Sequence, residues 1–328
     1  MTAQRLGQSQ ARRTPTLEGV KRAAKKIAAI LPPTPLLPLE VEGRTIWCKA
    51  ESLQPIGAFK IRGAWHRLSD LSDEERAAGV VAFSSGNHAQ GIAWSARRLR
   101  ISATIVMPAD APVAKMEATR AMGAQIVTYD RMTENREAIA ARLAGERGAV
   151  LVPSFDDPWV VEGQGSAALE AAAQLRAMTG KSPTQLVVCC GGGGLASGCA
   201  LALPDAKIVI VEPEGWDDFG ESLRRGEIVP VGPNPPPTRC DALQTLRTSP
   251  LTFDILHDRG ATGVSVSEAE TAAAMRVAMT SLGLVLEPGG AVALAAVLSG
   301  KVGADDATVV TLSGRNVDPH IFASMIAA

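Results

Sequence analysis

Short apolar segments alternate with helical segments along most of this chain, and this alternation constrains its fold more than any other feature. Val80–Phe83 has the composition of a buried strand, and Ala89–Leu99 has the periodicity of a helix. Further strands are predicted at residues 103–107, 125–129 and 149–152, and a second series at 186–190, 208–211, 264–266 and 308–312. Short apolar strands joined by helices indicate parallel sheets covered by helices on both faces. The sequence therefore predicts an α/β fold with right-handed crossovers.

Length, charge and hydropathy exclude several classes of protein. A chain of 328 residues is long enough for two modest domains. The formal net charge of -1 argues against a protein that binds nucleic acid by neutralising phosphates. Residues 1–13 lack the apolar core of a secretory signal, and no apolar stretch is long enough to span a bilayer. We therefore expect a cytoplasmic protein with no nucleic-acid or membrane partner.

The cysteines of the chain do not form a recognisable framework. There are 5 of them, at Cys48, Cys189, Cys190, Cys199 and Cys240, and none has CxxC spacing. An odd number without that spacing argues against paired disulfides and against a zinc site. We expect buried thiols that fill the core as small apolar groups.

Four consecutive glycines, Gly191–Gly194, follow one predicted strand and precede a helix predicted to begin near Leu195. Their N–H groups can turn toward one small anion without interference from side chains, and the helix N-terminus adds a favourable dipole. The segment has neither the GxGxxG spacing of dinucleotide-binding loops nor the Gly-Lys-Ser/Thr ending of nucleoside-triphosphate loops. It therefore predicts a site for a single phosphate group rather than a flexible linker.

Two polar segments follow other predicted strands, at the carboxyl ends where parallel sheets usually bind ligands. Ser84–His88 (SSGNH) follows the strand at residues 80–83, and the start of its helix offers free N–H groups to a carboxylate. Ser313–Asn316 (SGRN) follows the last predicted strand. Taken singly, the first segment is also typical of a helix cap and the second of an ordinary loop.

Lys60 gives these segments a common chemistry. It lies near the start of a helix predicted over residues 59–68. An isolated lysine is usually a solvated surface charge. Together with a phosphate loop and a carboxylate-binding segment, however, a lysine can bind a phosphate-bearing aldehyde cofactor as an imine.

These four segments, in this order and spacing, resemble the fold type II (β-family) pyridoxal-phosphate enzymes, and among them the threonine/serine dehydratase and serine racemase group. The similarity extends from Thr16 to Ala328. It implies two domains, each an open, twisted, mostly parallel sheet flanked by helices, with pyridoxal 5'-phosphate in the cleft between them. Residues 1–77 and 154–328 would form the large cofactor-binding domain, and residues 78–153 the small domain. The resemblance also implies a homodimer.

The resemblance assigns a role to each motif. Lys60, preceded by Phe59, would hold the cofactor as an imine and move a proton at the substrate. Other implied cofactor contacts are Asn87 to the ring hydroxyl, Gly191, Gly192, Gly193, Gly194 and Leu195 to the phosphate, Ser313 to the pyridine nitrogen, and Glu287 near the ring. Ser84, Ser85 and His88 would hold the substrate carboxylate. From the residues alone, Glu287 before Pro288 is equally typical of a helix start.

Ser313 bears on the expected reaction. A neutral hydroxyl does not keep the ring nitrogen protonated, so elimination of a β-hydroxyl is favoured over transamination. The resemblance therefore implies conversion of L-threonine and L-serine to a 2-oxo acid and ammonia. Ser85 leaves racemisation open, because serine racemases use the serine at this position as an acid and base. The intact lysine and cofactor motifs disfavour a non-catalytic binding protein of the same fold.

An acidic segment, Glu212–Asp218, resembles the divalent-metal segment of the family. The resemblance implies Glu212, Asp218 and the carbonyl of Trp216 as ligands. Carboxylate and carbonyl oxygens suit Mg²⁺ or Ca²⁺. Without the resemblance, the segment is typical of a solvated acidic turn.

Two residues depart from the pattern of the dehydratases. Ala58 stands where serine is common, which removes a hydroxyl beside the cofactor. Arg315 replaces the second glycine of Ser-Gly-Gly-Asn. Because arginine pairs well with carboxylates, Arg315 is a candidate for binding a second substrate carboxylate, as in 3-hydroxyaspartate. A side chain directed to solvent is the alternative.

Overall fold

Short strands and helices alternate along the chain, as the sequence predicts. The computed structural model describes residues 13–84, 86–111 and 113–327. Its strands are β1 (Leu36–Val41), β2 (Arg44–Lys49), β3 (Val80–Phe83), β4 (Ala103–Pro108), β5 (Gln125–Tyr129), β6 (Val150–Leu151), β7 (Gln185–Cys189), β8 (Lys207–Pro213), β9 (Thr262–Val266) and β10 (Thr308–Thr311). Its α-helices are α1 (Leu17–Ala28), α2 (Lys60–Ser69), α3 (Asp73–Ala78), α4 (Asn87–Leu99), α5 (Val113–Ala121), α6 (Arg136–Arg147), α7 (Pro158–Thr179), α8 (Gly194–Ala202), α9 (Asp218–Arg225), α10 (Pro250–Asp258), α11 (Glu268–Leu282), α12 (Pro288–Leu298) and α13 (Pro319–Ala327). None of the helices in the described ranges is both long and apolar enough to cross a bilayer.

The strands form two separate sheets. The larger has six strands in the order β1-β2-β10-β7-β8-β9, and the smaller has four in the order β5-β4-β3-β6. Every neighbouring pair is parallel except β1 with β2. Two parallel-rich sheets flanked by helices confirm the predicted α/β architecture of two domains.

Each sheet has its own buried core. The five cysteines are free and buried in the core of the larger sheet, as expected. The core of the smaller sheet also includes Ala64 and Leu68 of helix α2 and Val160 of helix α7. These helices lie outside residues 78–153 in sequence, although they pack beneath the smaller sheet. The boundaries proposed at residues 77 and 153 stay a prediction.

The sequence predicts a strand at residues 45–49, which forms β2, but it does not predict β1 or the hairpin that joins the two strands. Strand β1 contains Pro38 and lies at the edge of the larger sheet, where a missing N–H group costs no ladder hydrogen bond. The two turn residues, Glu42 and Gly43, have φ values of 50° and 76°. Positive φ at both positions matches the right-handed twist of the two strands, so the hairpin closes in two residues.

Three helices contact each other through their backbones. A Cβ atom built on Gly163 of α7 would lie 2.5 Å from the Cα atom of Gly63 in α2. Likewise, a Cβ atom on Gly198 of α8 would lie 2.5 Å from the backbone nitrogen of Gly165 in α7. Only glycine permits such close approach. Helix α7 therefore fixes the start of α2, which carries Lys60, relative to the start of α8, which carries the glycine loop.

A buried ion network also holds helix α2. The Arg62 guanidinium donates to Glu51 from Nε and Nη2, at 2.7 Å each, and to Glu170 at 3.0 Å. Lys49 donates to Glu170 at 2.5 Å. Arg62 and Glu51 are almost fully buried. Because buried charges need partners, this network ties α2 to the end of strand β2 and to helix α7.

Candidate active site

Lys60 is the first residue of helix α2, and its amine is buried. Its Nζ atom donates to the backbone carbonyl of Ser154 at 3.0 Å and lies 5.2 Å from the centre of the Phe59 ring. Burial among protein atoms lowers the pKa of the Lys60 amine to about 8, and the Glu287 carboxylate offsets part of that shift. An amine with such a pKa can accept and release a proton near neutral pH.

The segment with Ser313 runs directly beside the start of α2. The Phe59 N–H group donates to the Ser313 carbonyl at 3.1 Å, and Ala58 forms a bridge with Gly314. Burial raises the pKa of the nearby Cys189 thiol to about 11, and the Ser313 hydroxyl offsets part of that shift. The thiol therefore stays protonated near neutral pH. Ser313 thus follows strand β10 and lies beside the start of α2, as its predicted role requires, and that role stays a prediction.

Asn87 and Glu287 meet at the other wall of the site. Asn87 begins helix α4 and donates to Glu287 Oε1 at 2.7 Å. The Asn87 amide oxygen accepts from Asn316 at 2.7 Å. Glu287 is 3% exposed, and burial, together with the charge of Asp241, raises its pKa to about 7. The site therefore holds a carboxyl group that titrates near neutral pH.

The glycine loop is shaped as an anion cradle. Gly193 has φ of +83°, a conformation that favours glycine, and it is the N-cap of helix α8. A Cβ atom on Gly192 would collide with the ring of Phe155. Leu195 is buried in the first turn of α8. The Phe155 ring and the backbone conformation therefore require glycine here, and the bare backbone at the start of α8 fits the phosphate of the expected cofactor.

The helices that begin at this site share uncapped N-termini. The N-cap residues of α2, α4, α8 and α12 are Phe59, Gly86, Gly193 and Glu287, and none of them makes a side-chain hydrogen bond to the first turn of its helix. The N-cap of α9, Asp217, makes none either, but there Glu212 accepts from two of the first N–H groups. By contrast, a Ser, Thr, Asn or Asp side chain caps α1, α3, α6, α7, α10 and α11. Free N–H groups and positive dipole ends attract anions. The site can therefore bind a phosphate and a substrate carboxylate.

The predicted carboxylate-binding residues are only partly described. The Ser84 hydroxyl accepts from the Gly86 N–H group at 3.2 Å. His88 Nε2 lies 2.9 Å from the Val152 carbonyl oxygen, and burial, together with the charge of Lys60, lowers the pKa of His88 to about 3. The imidazole is therefore neutral and donates to that carbonyl. Ser85 lies outside the described residues, and all three roles stay predictions.

The acidic segment places two carboxylates at the start of helix α9. Glu212 accepts from the N–H groups of Phe219 and Gly220, at 3.1 and 2.7 Å, whereas Asp218 Oδ2 is buried without a partner among the described residues. Burial raises the pKa of Glu212 well above its usual range and that of Asp218 to about 7. No group of three or more His, Cys, Asp or Glu side chains within residues 13–84, 86–111 and 113–327 could hold a metal ion. A cation here would also need the carbonyl of Trp216, so the site stays a prediction.

Arg315 lies on the opposite face of its segment from the site. Asn316 bonds Asn87, and a Cβ atom on Gly314 would collide with Glu287. The Arg315 side chain, between them, is exposed and donates to the Ser52 carbonyl at 2.6 Å. Alternate side chains of an extended segment point in opposite directions, so this conformation turns Arg315 away from Asn87.

Several residues of the site were missed in the sequence. Ser154 contributes a backbone carbonyl to Lys60, and the Phe155 ring packs against the glycine loop. Lys115 of α5 and Asp241 form an ion pair of 2.6 Å between the two halves of the molecule. The amino-acid type does not indicate which backbone carbonyl accepts a hydrogen bond. The two residues of the ion pair are 126 residues apart in sequence, so their pairing cannot be inferred from spacing.

We expect Glu287→Gln to remove a pH dependence of stability. Between the ordinary glutamate pKa of 4.5 and the folded-state pKa of about 7, the unfolded chain ionises while buried Glu287 stays protonated. The free energy of unfolding therefore falls as pH rises through this window, by about 3 kcal/mol in total. Between pH 4.5 and 8, urea unfolding of the cofactor-free variant should show a change in stability that differs from that of the wild type by this amount, whereas the contributions of the buried carboxyl groups of Glu212 and Asp218 remain in both. The exposed Glu146→Gln variant should follow the wild type, and equal profiles for all three proteins would contradict the assignment.

Comparison with known proteins shows which family has this fold and this set of site residues. Residues 27–314 match the model of the pyridoxal-phosphate dependent enzyme family. The chain is 43% identical to an L-threo-3-hydroxyaspartate ammonia-lyase of Pseudomonas sp over 94% of this chain and 97% of that protein. A second protein of that name, from Saccharomyces cerevisiae, is 42% identical over 95% and 96% of the two chains.

Solved structures agree with this family. A threonine deaminase from T.th. has a TM-score of 0.84 and 39% identity, covering 93% of this chain and 99% of that chain. Maize serine racemase has a TM-score of 0.87 and 31% identity, covering 96% and 98%. The chain therefore belongs to the fold type II pyridoxal-phosphate-dependent enzymes, in the group of ammonia-lyases and serine racemases.

Proposed function

We propose that this enzyme is an ammonia-lyase that acts on 3-hydroxyaspartate in preference to L-threonine and L-serine. Elimination of the β-hydroxyl expels water, and hydrolysis of the product returns water and releases ammonia, so that the net products are oxaloacetate and ammonia. Two relatives above 40% identity carry the name L-threo-3-hydroxyaspartate ammonia-lyase, which supports this substrate. The preference for L-threonine and L-serine expected from the sequence is the alternative.

The buried amine of Lys60 is the observation that carries the proposed chemistry. When bound, pyridoxal 5'-phosphate supplies an electron sink for the bond being broken at the α-carbon. Lys60 would hold the cofactor and then move the α-proton, for which a pKa near 8 is suitable. The glycine loop would hold the phosphate at the uncapped start of α8.

The remaining residues would orient the substrate and limit competing reactions. The uncapped start of α4 beside Asn87 would receive the α-carboxylate. Ser313, a neutral hydroxyl, would favour elimination over transamination because it does not hold a proton on the ring nitrogen. Glu287, which accepts a hydrogen bond from Asn87 and has a pKa near 7, would be able to exchange a proton at this wall of the site.

A panel of amino acids assayed with the cofactor-loaded enzyme tests this proposal. It contains the isomers of 3-hydroxyaspartate, both enantiomers of threonine and serine, and L-aspartate. We expect kcat/KM for L-threo-3-hydroxyaspartate to exceed that for L-threonine by at least about 10-fold, since a fixed charge in the site would pair with its second carboxylate. L-Aspartate has no β-hydroxyl leaving group and is the negative control.

Two reactions, elimination and inversion, are measured for each amino acid. Oxo acid and ammonia report elimination, and chiral chromatography of the remaining amino acid reports inversion. Equal or faster turnover of L-threonine or L-serine would contradict the preferred substrate and support the alternative. Inversion of serine without formation of oxo acid would instead support a racemase.

A further inference from the structure

Helix α10 packs against the glycine loop and carries a buried hydroxyl at the point of contact. Thr252 lies in the first turn of α10 and is fully buried. Its Oγ1 atom is 2.9 Å from the carbonyl oxygen of Gly192, which lies 60 residues earlier in the sequence. Its Cβ atom is 3.1 Å from an ideal Cβ on Gly193. A side chain from a separate helix therefore contacts the peptide that joins these two glycines.

Two further hydroxyls determine which way the Thr252 proton points. The Oγ1 atom of Thr248 and the Oγ atom of Ser249 lie 2.9 and 3.1 Å from Thr252 Oγ1, and both residues are buried. A threonine hydroxyl has one proton to donate and two lone pairs that accept, whereas a carbonyl oxygen only accepts. The Gly192 carbonyl is the nearer carbonyl acceptor, since that of Ser249 lies at 3.3 Å. Thr252 therefore donates to Gly192 and accepts from the other two hydroxyls.

The backbone of Thr252 is also fixed relative to helix α8. The hydroxyl of Ser197, which is fully buried in the first turn of α8, donates to the Thr252 carbonyl at 3.2 Å. The Ser249 side chain caps α10 by accepting from the Thr252 N–H group. Each of these buried polar groups would lose a partner if α10 moved away from the glycine loop, and an unpaired buried group is costly. The Thr252 hydroxyl is thus held in one place.

The contact matters because a peptide between two glycines has little else to hold its orientation. Glycine adopts positive and negative φ almost equally well, so the peptide between Gly192 and Gly193 could turn over at small cost. The C=O and N–H groups of a trans peptide point in opposite directions, so turning exchanges the sides on which they lie. N–H groups face the anion in an anion-binding loop, and a carbonyl oxygen in their place would repel it.

We propose that Thr252 is a positioning residue for cofactor binding, whose hydroxyl holds the Gly192 carbonyl toward α10 and so keeps the glycine loop in its anion-binding conformation. This inference rests on the proposed role of the glycine loop and does not depend on which amino acid is the substrate. Thr252 acts through the loop and not by contact with the cofactor. Its effect should therefore depend on the phosphate group and not on the pyridine ring.

A comparison of two cofactor forms tests this dependence. The full-length enzyme is stripped of cofactor and titrated with pyridoxal 5'-phosphate or with pyridoxal, which lacks the phosphate, and the long-wavelength absorbance gives each dissociation constant. We expect Thr252→Val to weaken binding of pyridoxal 5'-phosphate by roughly 10-fold and that of pyridoxal by less than about threefold. Thr252→Ser keeps the hydroxyl and should restore both constants to within about threefold of the wild type.

A matched control and a spectroscopic measurement accompany the titrations. Thr271 is 1% exposed, and its hydroxyl donates to the carbonyl of Ser267, the N-cap of its own helix, at 2.9 Å. Thr271→Val should leave both dissociation constants close to those of the wild type. The phosphorus NMR resonance of the holoenzyme reports the surroundings of the phosphate and should shift in Thr252→Val but not in Thr252→Ser. If Thr252→Val does not fold, Thr252→Cys, whose thiol is a weak donor, takes its place with the same expected result.

Three outcomes overturn the inference, and they separate it from the proposed function. Wild-type enzyme that binds pyridoxal 5'-phosphate no more tightly than pyridoxal lacks the phosphate site proposed for the glycine loop, and the role of Thr252 fails with it. If the wild type prefers the phosphate form and Thr252→Val changes neither constant, the loop keeps its proposed role without Thr252. Equal weakening of both cofactor forms in Thr252→Val assigns Thr252 to general packing of the core.

Discussion

Replacing Lys60 by alanine is expected to lower kcat/KM for elimination by at least about 1000-fold. The side chain combines two tasks, since its amine would hold the cofactor and move the α-proton. The pKa near 8 and the hydrogen bond to the Ser154 carbonyl show an amine held in place and ready to exchange protons. Alanine removes both functions and leaves the backbone of helix α2 intact, because alanine is a strong helix former.

Three measurements define the Lys60→Ala experiment. Steady-state assays give kcat/KM, the long-wavelength absorbance of the holoenzyme reports the covalent attachment of the cofactor, and thermal unfolding reports the fold. The band should shift or disappear while the unfolding temperature stays near that of the wild type. Lys207→Ala, which changes an exposed lysine on β8, should leave all three unchanged. Retention of more than a few per cent of activity in Lys60→Ala would contradict the central assignment.

Replacing Arg62 by alanine is expected to lower the free energy of unfolding by about 3–5 kcal/mol. Arg62 is 1% exposed and neutralises Glu51, which is fully buried, together with part of Glu170. The Arg62 charge lowers the pKa of Glu51 and so keeps that carboxylate ionised despite its burial. Without the guanidinium, Glu51 would remain as an uncompensated buried charge or would have to take up a proton.

Urea unfolding at neutral pH measures this loss. Arg142→Ala is a matched control, because Arg142 pairs with Glu146 on an exposed face of helix α6. Exposed pairs contribute about 0.5 kcal/mol, so the control should unfold close to the wild-type midpoint. Lys60 lies two residues before Arg62, and a loss of cofactor affinity should accompany the loss of stability. Similar stabilities for the two variants would contradict the role given to the buried network.

The sequence predicted the sheets and the main motifs because both depend on local patterns. Val80–Phe83 is a continuous apolar run, and the run forms a strand buried between helices. The four glycines form a cradle because no other residue tolerates the positive φ of Gly193 together with the nearby Phe155 ring. Strand β1 was missed because Pro38 weakens its strand signal, and only its position at the sheet edge makes that proline acceptable.

Tertiary contacts account for the features that the sequence could not reveal. The pairing of Lys115 with Asp241 depends on how two separate sheets face each other. The direction of the Arg315 side chain depends on the alternation of side chains along its segment and on its hydrogen bond to the backbone carbonyl of Ser52. A backbone carbonyl is present at every residue, so the amino-acid sequence does not indicate this contact. The sequence therefore indicated the residues proposed to hold the cofactor more completely than the contacts that decide where each side chain points.

The backbone contacts among helices α2, α7 and α8 have a consequence for how such an enzyme can change. There is no room for even a methyl group at Gly163 and Gly198. Substitutions at these positions therefore cannot change the distance between Lys60 and the phosphate loop without disrupting the packing of the three helices. The ion pair of Lys115 with Asp241 is partly exposed, so substitutions there would disturb little of the core. Evolutionary or laboratory diversification can thus be concentrated at such exposed contacts, while the reactive centre is inherited unchanged.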